Sequence, residues 1–155
     1  MSPSLADLAL LRETVEKTRV REALENYFQG LDGREEDRLA ACFTEDAVAT
    51  HHSGSDTEFT VSGGATIARY FSSLMLTFTA TTHAACNSVV QVTGDTATAS
   101  TFAIAHVILG NRVRVRGLRY IDELVQVSRQ WRIRKRTHIQ LWQYEADAVK
   151  PFLPR

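Results

Sequence analysis

Two periodicities divide the chain. In the first half, apolar residues recur at spacings of three and four: Leu5, Leu8, Leu11 and Val15, then Val20, Leu24, Tyr27, Phe28 and Leu31. Such spacing gives one stripe on an amphipathic helix, and Gly30 and Gly33 bracket its expected end. Residues 35–43 (EEDRLAACF) predict a short second helix with acidic residues in its first turn, where the helix dipole favours them. Residues 48–52 read as a short strand, 53–56 as a turn cluster, and Phe59 and Val61 as part of another short strand. Ser62 predicts the N-cap of a helix over about 64–76, with Ile67, Tyr70, Phe71 and Leu74 on its inner face.

From Thr81 onward the period becomes two. Residues 81–92, 96–108, 112–127 and 131–144 predict four long strands joined by turns at 93–95, 110–111 and 128–130. Connections this short make antiparallel neighbours. Helices first and strands after define an α+β domain, with a curved antiparallel sheet wrapped around the N-terminal helices. Neither an internal repeat nor a linker interrupts the 155 residues, which are expected to form a single domain with its core at about 18–144 and a tail at 145–155 carrying Pro151 and Pro154.

Composition changes little in that picture. Hydrophobic residues make up 44% and charged residues 23%, too apolar for a disordered chain. Lys plus Arg and Asp plus Glu are 18 each, so the net charge gives no reason to expect a polyanionic partner. A basic cluster runs from Arg112 to Arg136, but its residues alternate with apolar ones and only Tyr120 and Trp131 interleave as aromatics. It reads as a solvated or subunit-facing sheet surface, not a nucleic-acid platform. Cys42 and Cys86 are too isolated for a disulfide framework or a zinc cluster, and both are expected in the core of a protein kept reduced. No run of 18 apolar residues exists, and Asp7 and Glu13 lie where a secretory signal would be basic. No membrane association is expected, and the cytoplasm is the expected compartment.

Alternation along the strands sorts the polar residues by face. Phe102, Ile104, His106 and Ile108 share one face of their strand, and Ala97, Ala99, Ala103, Ala105 and Val107 the other. His83 shares a face with Ala85, Asn87 and Val89, and Leu118, Tyr120, Asp122 and Leu124 lie together. Histidine can give or take a proton near neutrality. A site of that kind wants a histidine, a carboxylate to orient it and a polar group for the substrate. His83, His106, Asp32 and Tyr27 are the candidates. Tyr27 and Asp32 are five apart where a helix is ending, so their side chains can converge. Each also has a plain reading: a strand histidine is often a hydrogen-bonded core or surface residue, Tyr27 lies on the apolar stripe, and an aspartate near a helix end can simply cap a turn. His51 and His52 are adjacent on a strand and point to opposite faces, which argues against a shared metal.

The order of elements resembles the SnoaL-like branch of the nuclear transport factor 2-like superfamily, a cone-shaped α+β barrel. The likeness is carried by Tyr27-Phe28-Gln29-Gly30-Leu31-Asp32, the segment 39–48 (LAACFTEDAV), Gly63-Gly64-Ala65-Thr66-Ile67, Thr82-His83, the segment 94–99 (GDTATA), Gly117-Leu118-Arg119-Tyr120 and Trp131-Arg132-Ile133. It covers roughly residues 18–144. Relatives include scytalone dehydratase, bile-acid dehydratases and ketosteroid isomerase. The resemblance implies a small-molecule lyase or isomerase, most simply a dehydratase acting on a cyclic hydroxy-ketone, polyketide or steroid-like molecule without cofactor or metal. Tyr27 then resembles the tyrosine that polarises a substrate carbonyl. Asp32 resembles the acid paired with a histidine, His83 that histidine, and His106 the second pocket residue. Phe43, Tyr70, Phe71, Phe102 and Trp142 are the expected apolar walls around a small hydrophobic molecule. Ketosteroid isomerase's sheet aspartate and epoxide hydrolase's Asp–Arg–Asp set have no clear match. The β subunits of ring-hydroxylating dioxygenases share the fold without chemistry, so a ligand-binding or assembly subunit is the alternative. Apolar residues on the outer face of the last two strands predict a homodimer, and the resemblance to scytalone dehydratase implies a homotrimer as the alternative.

Overall fold

The computed structural model describes residues 4–53 and 58–148. Helix α1 (Leu5–Gly33) starts at a capping box in which Ser4 and Asp7 satisfy each other's backbone N–H groups. Its C-cap is Arg34, in the left-handed conformation. The short α2 (Glu36–Ala41) follows, then strand β1 (Phe43–His52), β2 (Glu58–Ser62), α3 (Gly64–Met75) and four long strands: β3 (Ala80–Thr93), β4 (Thr96–Leu109), β5 (Arg112–Val127) and β6 (Gln130–Asp147).

The six strands form one sheet in the order β2-β1-β6-β5-β4-β3. The four long strands pair antiparallel in sequence order, as the short turns require. The sheet as a whole is mixed, however, because β1 runs parallel to β6. No hairpin constrains that pair: β1 and β6 are far apart in sequence, and local patterning carries no trace of their direction. Strand β6 also runs through residues 145–147, where a tail was expected, pairing Glu145 and Asp147 with Arg114 and Arg112. Residues 149–155 of that tail and 54–56 of the predicted turn lie outside the described residues.

The core lies between α1, α3 and the concave face of the sheet, and includes Val20, Leu24, Tyr27, Phe28, Leu31, Leu39, Ile67, Phe71, Leu118, Tyr120, Leu124 and Ile133. Only the second half of α1 is covered. Leu5, Leu8, Leu11 and Val15, predicted on the same stripe, are exposed. Helix α3 begins at Gly63 and not at a Ser62 cap; Gly63 has φ +88 and no side-chain cap bond exists. Gly64 abuts β1 so closely that a Cβ would collide with the Thr44 carbonyl oxygen, which explains a glycine there.

The concave face of β4 carries Ala97, Ala99, Thr101, Ala103, Ala105 and Val107. Small side chains let the sheet curl closely round the helix. The bulkier Phe102, Ile104 and Ile108 point outward, and His106 goes with them. Bulges reset three other alternations: one between Ala85 and Ser88 on β3, and two between β5 and β6, at Gly117/Leu118 and Glu123/Leu124. The first turns Cys86 to the exterior, contrary to the expected core position, while Cys42 is buried. Those in β6 bring Arg136, His138 and Gln140 to the concave side and send Trp142 to the convex one.

Candidate active site

A cavity of about 360 Å³ opens at the wide end of the cone. Its walls are drawn from α1 (Tyr27, Leu31), β1 (His51), α3 (Tyr70, Phe71, Leu74, Met75) and the inward faces of β3 to β6. Tyr70 and Leu74 are partly exposed because they border this open space instead of packing against the core. A larger hollow of about 470 Å³, beside Arg19, Arg38 and Trp131, contains no histidine and is widely open to solvent.

Asp32 sits in the last turn of α1, and β3 carries His83 past it. One carboxylate oxygen accepts from the His83 backbone N–H at 2.6 Å and the other meets ring Nδ1 at 2.7 Å. Gripping both backbone and ring of one residue fixes the imidazole's position and plane. The His83 side chain is only 6% exposed, against 24% for Asp32. Burial alone would raise the Asp32 pKa, but the hydrogen bonds from His83 and its charge outweigh that and lower it. Asp32 is therefore an ionised acceptor, Nδ1 carries the proton, and Nε2 is the nitrogen left for a substrate. Phe28 stacks against the ring at 6.2 Å between centroids.

Tyr27 lines the same cavity. Burial raises its phenol pKa, and that of Tyr120 still further, so both keep their hydroxyl protons at neutral pH. Beneath them lies an ion pair that the sequence reading missed. Arg136 Nε donates to Asp122 Oδ1 at 2.7 Å and Arg136 Nη2 to Oδ2 at 3.0 Å, with both side chains sealed from solvent. The guanidinium carbon lies 3.9 Å from the Tyr27 ring centroid and 4.8 Å from that of Tyr120. Burial works against the charge of Arg136, but Asp122 prevails and raises its pKa. The basic stretch is thus not all surface: Arg136 is core, and Arg114 and Arg116 reach the cavity.

Of the remaining predicted site residues, Tyr70 and Phe71 lie in the cavity wall. Phe43 is buried and packs edge-on against Tyr27 at 5.8 Å, behind the cavity wall. His106, Phe102 and Trp142 are on the convex face, with Phe102 38% and Trp142 47% exposed, so the structure does not bring them to the cavity. Alternation alone left open which face of β4 turns inward, and it is the alanine face.

His51 and His138 are cavity residues that the sequence reading did not select. Neighbours across the parallel β1–β6 pair, their rings stack at 4.5 Å, while His52 turns away to Glu58. Desolvation and then Arg136 push His51 down to about 4; desolvation, then His51, push His138 down to about 3. Both rings stay neutral when folded but gain protons below about pH 6.5 when unfolded. The unfolded chain therefore binds more protons in that window, and stability falls as pH is lowered from 6.5 towards 4. Melting temperature followed across this range should drop steeply, and His51→Phe should flatten the drop; a constant melting temperature would contradict the burial of these neutral rings. Among the described residues, no group of three His, Cys, Asp or Glu side chains is arranged to hold a metal ion, and no helix is long and apolar enough to cross a membrane.

Helices packed in the concavity of a curved six-stranded sheet, with a cavity at the wide end, define the nuclear transport factor 2-like α+β cone. The chain belongs to the SnoaL-like domain family, which matches residues 12–137. Solved structures share the fold at low identity. A candidate scytalone dehydratase from Novosphingobium aromaticivorans is 20% identical, covering 92% of this chain and 96% of its own, at a TM-score of 0.75. Hexachlorocyclohexane dehydrochlorinase LinA-type3 from Novosphingobium barchaimii is 18% identical, covering 94% and 99%, at 0.76. The Kfla4162 protein from Kribbella flavida is 20% identical, covering 84% and 94%, also at 0.76. No curated protein sequence matches the chain.

Proposed function

We propose that the protein is a small-molecule lyase or isomerase, most simply a dehydratase, that works by moving one proton within the cavity. The observation that carries this reading is the carboxylate-held imidazole of His83 in the wall of a partly open, mostly apolar cavity. His83 Nε2 takes a proton from carbon next to a carbonyl. Asp32 holds the ring in the productive tautomer and stabilises the imidazolium. The Tyr27 hydroxyl, kept protonated by burial, donates to the oxygen on which enolate charge develops. The imidazolium then returns its proton, to a departing hydroxyl in a dehydration or to another carbon in an isomerisation. Two of the structural neighbours are named for eliminations, loss of water in one case and of hydrogen chloride in the other. Both remove a proton from carbon while a neighbouring group leaves, the step a fixed imidazole suits. His106 has no place in this scheme. Phe102 and Trp142, on the convex face, fit contact with a second copy of the chain instead of contact with substrate.

The test is proton exchange in D2O with a panel of enolisable and β-hydroxylated cyclic ketones, followed by NMR. The wild type should speed deuterium entry at the carbon beside the carbonyl, or loss of water, and His83→Ala should not. Equal rates in the two proteins would end this reading and favour a binding subunit.

A further inference from the structure

Two arginines reach the cavity from β5, two residues apart on its inward face. Arg114 is neutralised by Glu145, with Nε to Oε1 at 2.7 Å. Arg116 has no carboxylate partner among the described residues, and its Nε is buried without a hydrogen bond. Desolvation and then the charge of Arg114 lower its pKa, and the weaker pull of Tyr120 and Glu145 offsets only part of that. A guanidinium does not give up its proton in a protein. The charge therefore stays, and among the described residues no carboxylate forms an ion pair with it.

The register of the sheet says where this charge sits. Ala105 pairs with His83 on one side and with Arg116 on the other. The three residues form one row across β3, β4 and β5, all facing inward, and neighbouring strands are about 4.8 Å apart. The backbones of His83 and Arg116 are thus roughly 10 Å apart, with only a methyl group on the floor between them. The other charges near the cavity are matched: Asp32 by His83, Arg114 by Glu145, Arg136 by Asp122. His51 and His138 are neutral.

We infer that Arg116 is the docking point for an ionised carboxylate, so that the substrate is a small, largely apolar organic acid whose reacting carbon lies a few bonds from that carboxylate. The planar guanidinium fork matches a carboxylate in two parallel hydrogen bonds. A phosphate ester brings about two negative charges and calls for more than one free cation, whereas among the described residues lining the cavity a single arginine lacks an ion-pair partner. The aromatic and aliphatic walls from α3 take the rest of the molecule. This inference rests on the proposed proton-moving role of the same cavity for its meaning, but its test does not depend on turnover.

Benzoate and cyclohexanecarboxylate are titrated into the protein beside their neutral amides, with binding read by calorimetry or ligand-observed NMR. The carboxylates should bind about tenfold or more tightly than the amides, as expected for a hydrogen bond to a charged group. Arg116→Gln should erase the preference, Arg116→Lys should keep part of it, and Arg119→Gln, on the outward face of the same strand, should keep all of it. His83→Ala should also keep it, so loss of catalysis and loss of anion binding are read separately. Removing a half-buried unmatched charge should leave the melting temperature of Arg116→Gln no lower than wild type, and the acid–amide comparison on the wild type stands without any variant. Equal binding of acids and amides, no wild-type binding of the acids at millimolar concentration, or a preference surviving in Arg116→Gln would each overturn the inference.

Discussion

Replacing His83 with alanine lowers kcat/KM on the natural substrate by about 10²–10⁴, the usual worth of a positioned general base, while the protein stays folded. The fold survives because Asp32 keeps the backbone N–H of residue 83 as a donor and is itself partly solvated. Asp32→Asn should be nearly as damaging for a different reason. An amide can present its NH2 to Nδ1, so the ring would be held with its proton on Nε2, the nitrogen that must be bare to accept one. Tyr27→Phe should cost less, because it removes one donor to the developing oxyanion and leaves the ring between Arg136 and Phe43. Steady-state kinetics with circular dichroism on the same preparations separates these effects from unfolding. A His83→Ala enzyme with wild-type kcat/KM would remove the mechanism and leave the architecture.

The second large effect is on stability. Asp122→Ala strands the Arg136 guanidinium in the core with no anion, a change expected to cost about 3–5 kcal/mol. Urea denaturation should show it as a lower midpoint at unchanged slope. The double variant Asp122→Leu/Arg136→Met should recover most of the loss, since removing both charges also removes the cost of keeping them dry. The double variant should still be a poorer enzyme than wild type, because Arg136 holds Tyr27 and Tyr120 face-on from below. Equal stability of Asp122→Ala and wild type would mean that water reaches this pair.

The pair also marks where sequence reading stopped. Asp122 could be put on an inward face from the alternation with Leu118, Tyr120 and Leu124, and a buried carboxylate requires a cation. Its partner was hidden by the β6 bulge near Arg134, which shifts the phase so that Arg136 points inward. Gly117 in mid-strand was the available signal for the second irregularity. His83 in mid-strand and Asp32 at a helix end were each visible in the pattern, but only the family resemblance paired them, because nothing local encodes which strand passes a given helix end. His106, expected in the pocket from the resemblance, lies on the convex face because β4 turns its alanines inward, where the sheet curls tightly round the helix. The parallel β1–β6 pairing, and with it the stack of His51 on His138, depends on contacts between distant segments that no local pattern encodes.

The proposed chemistry needs one proton on Nδ1 of the His83 ring, and that proton can be observed. ¹⁵N-resolved NMR of the histidine side chains in the neutral form should show His83 as a single tautomer, with its hydrogen on Nδ1, slow to exchange and shifted downfield by the Asp32 bond, and with Nε2 bare. A His83 ring that carries its hydrogen on Nε2, or that averages between tautomers like a free imidazole in water, would contradict the arrangement on which the proposed chemistry depends.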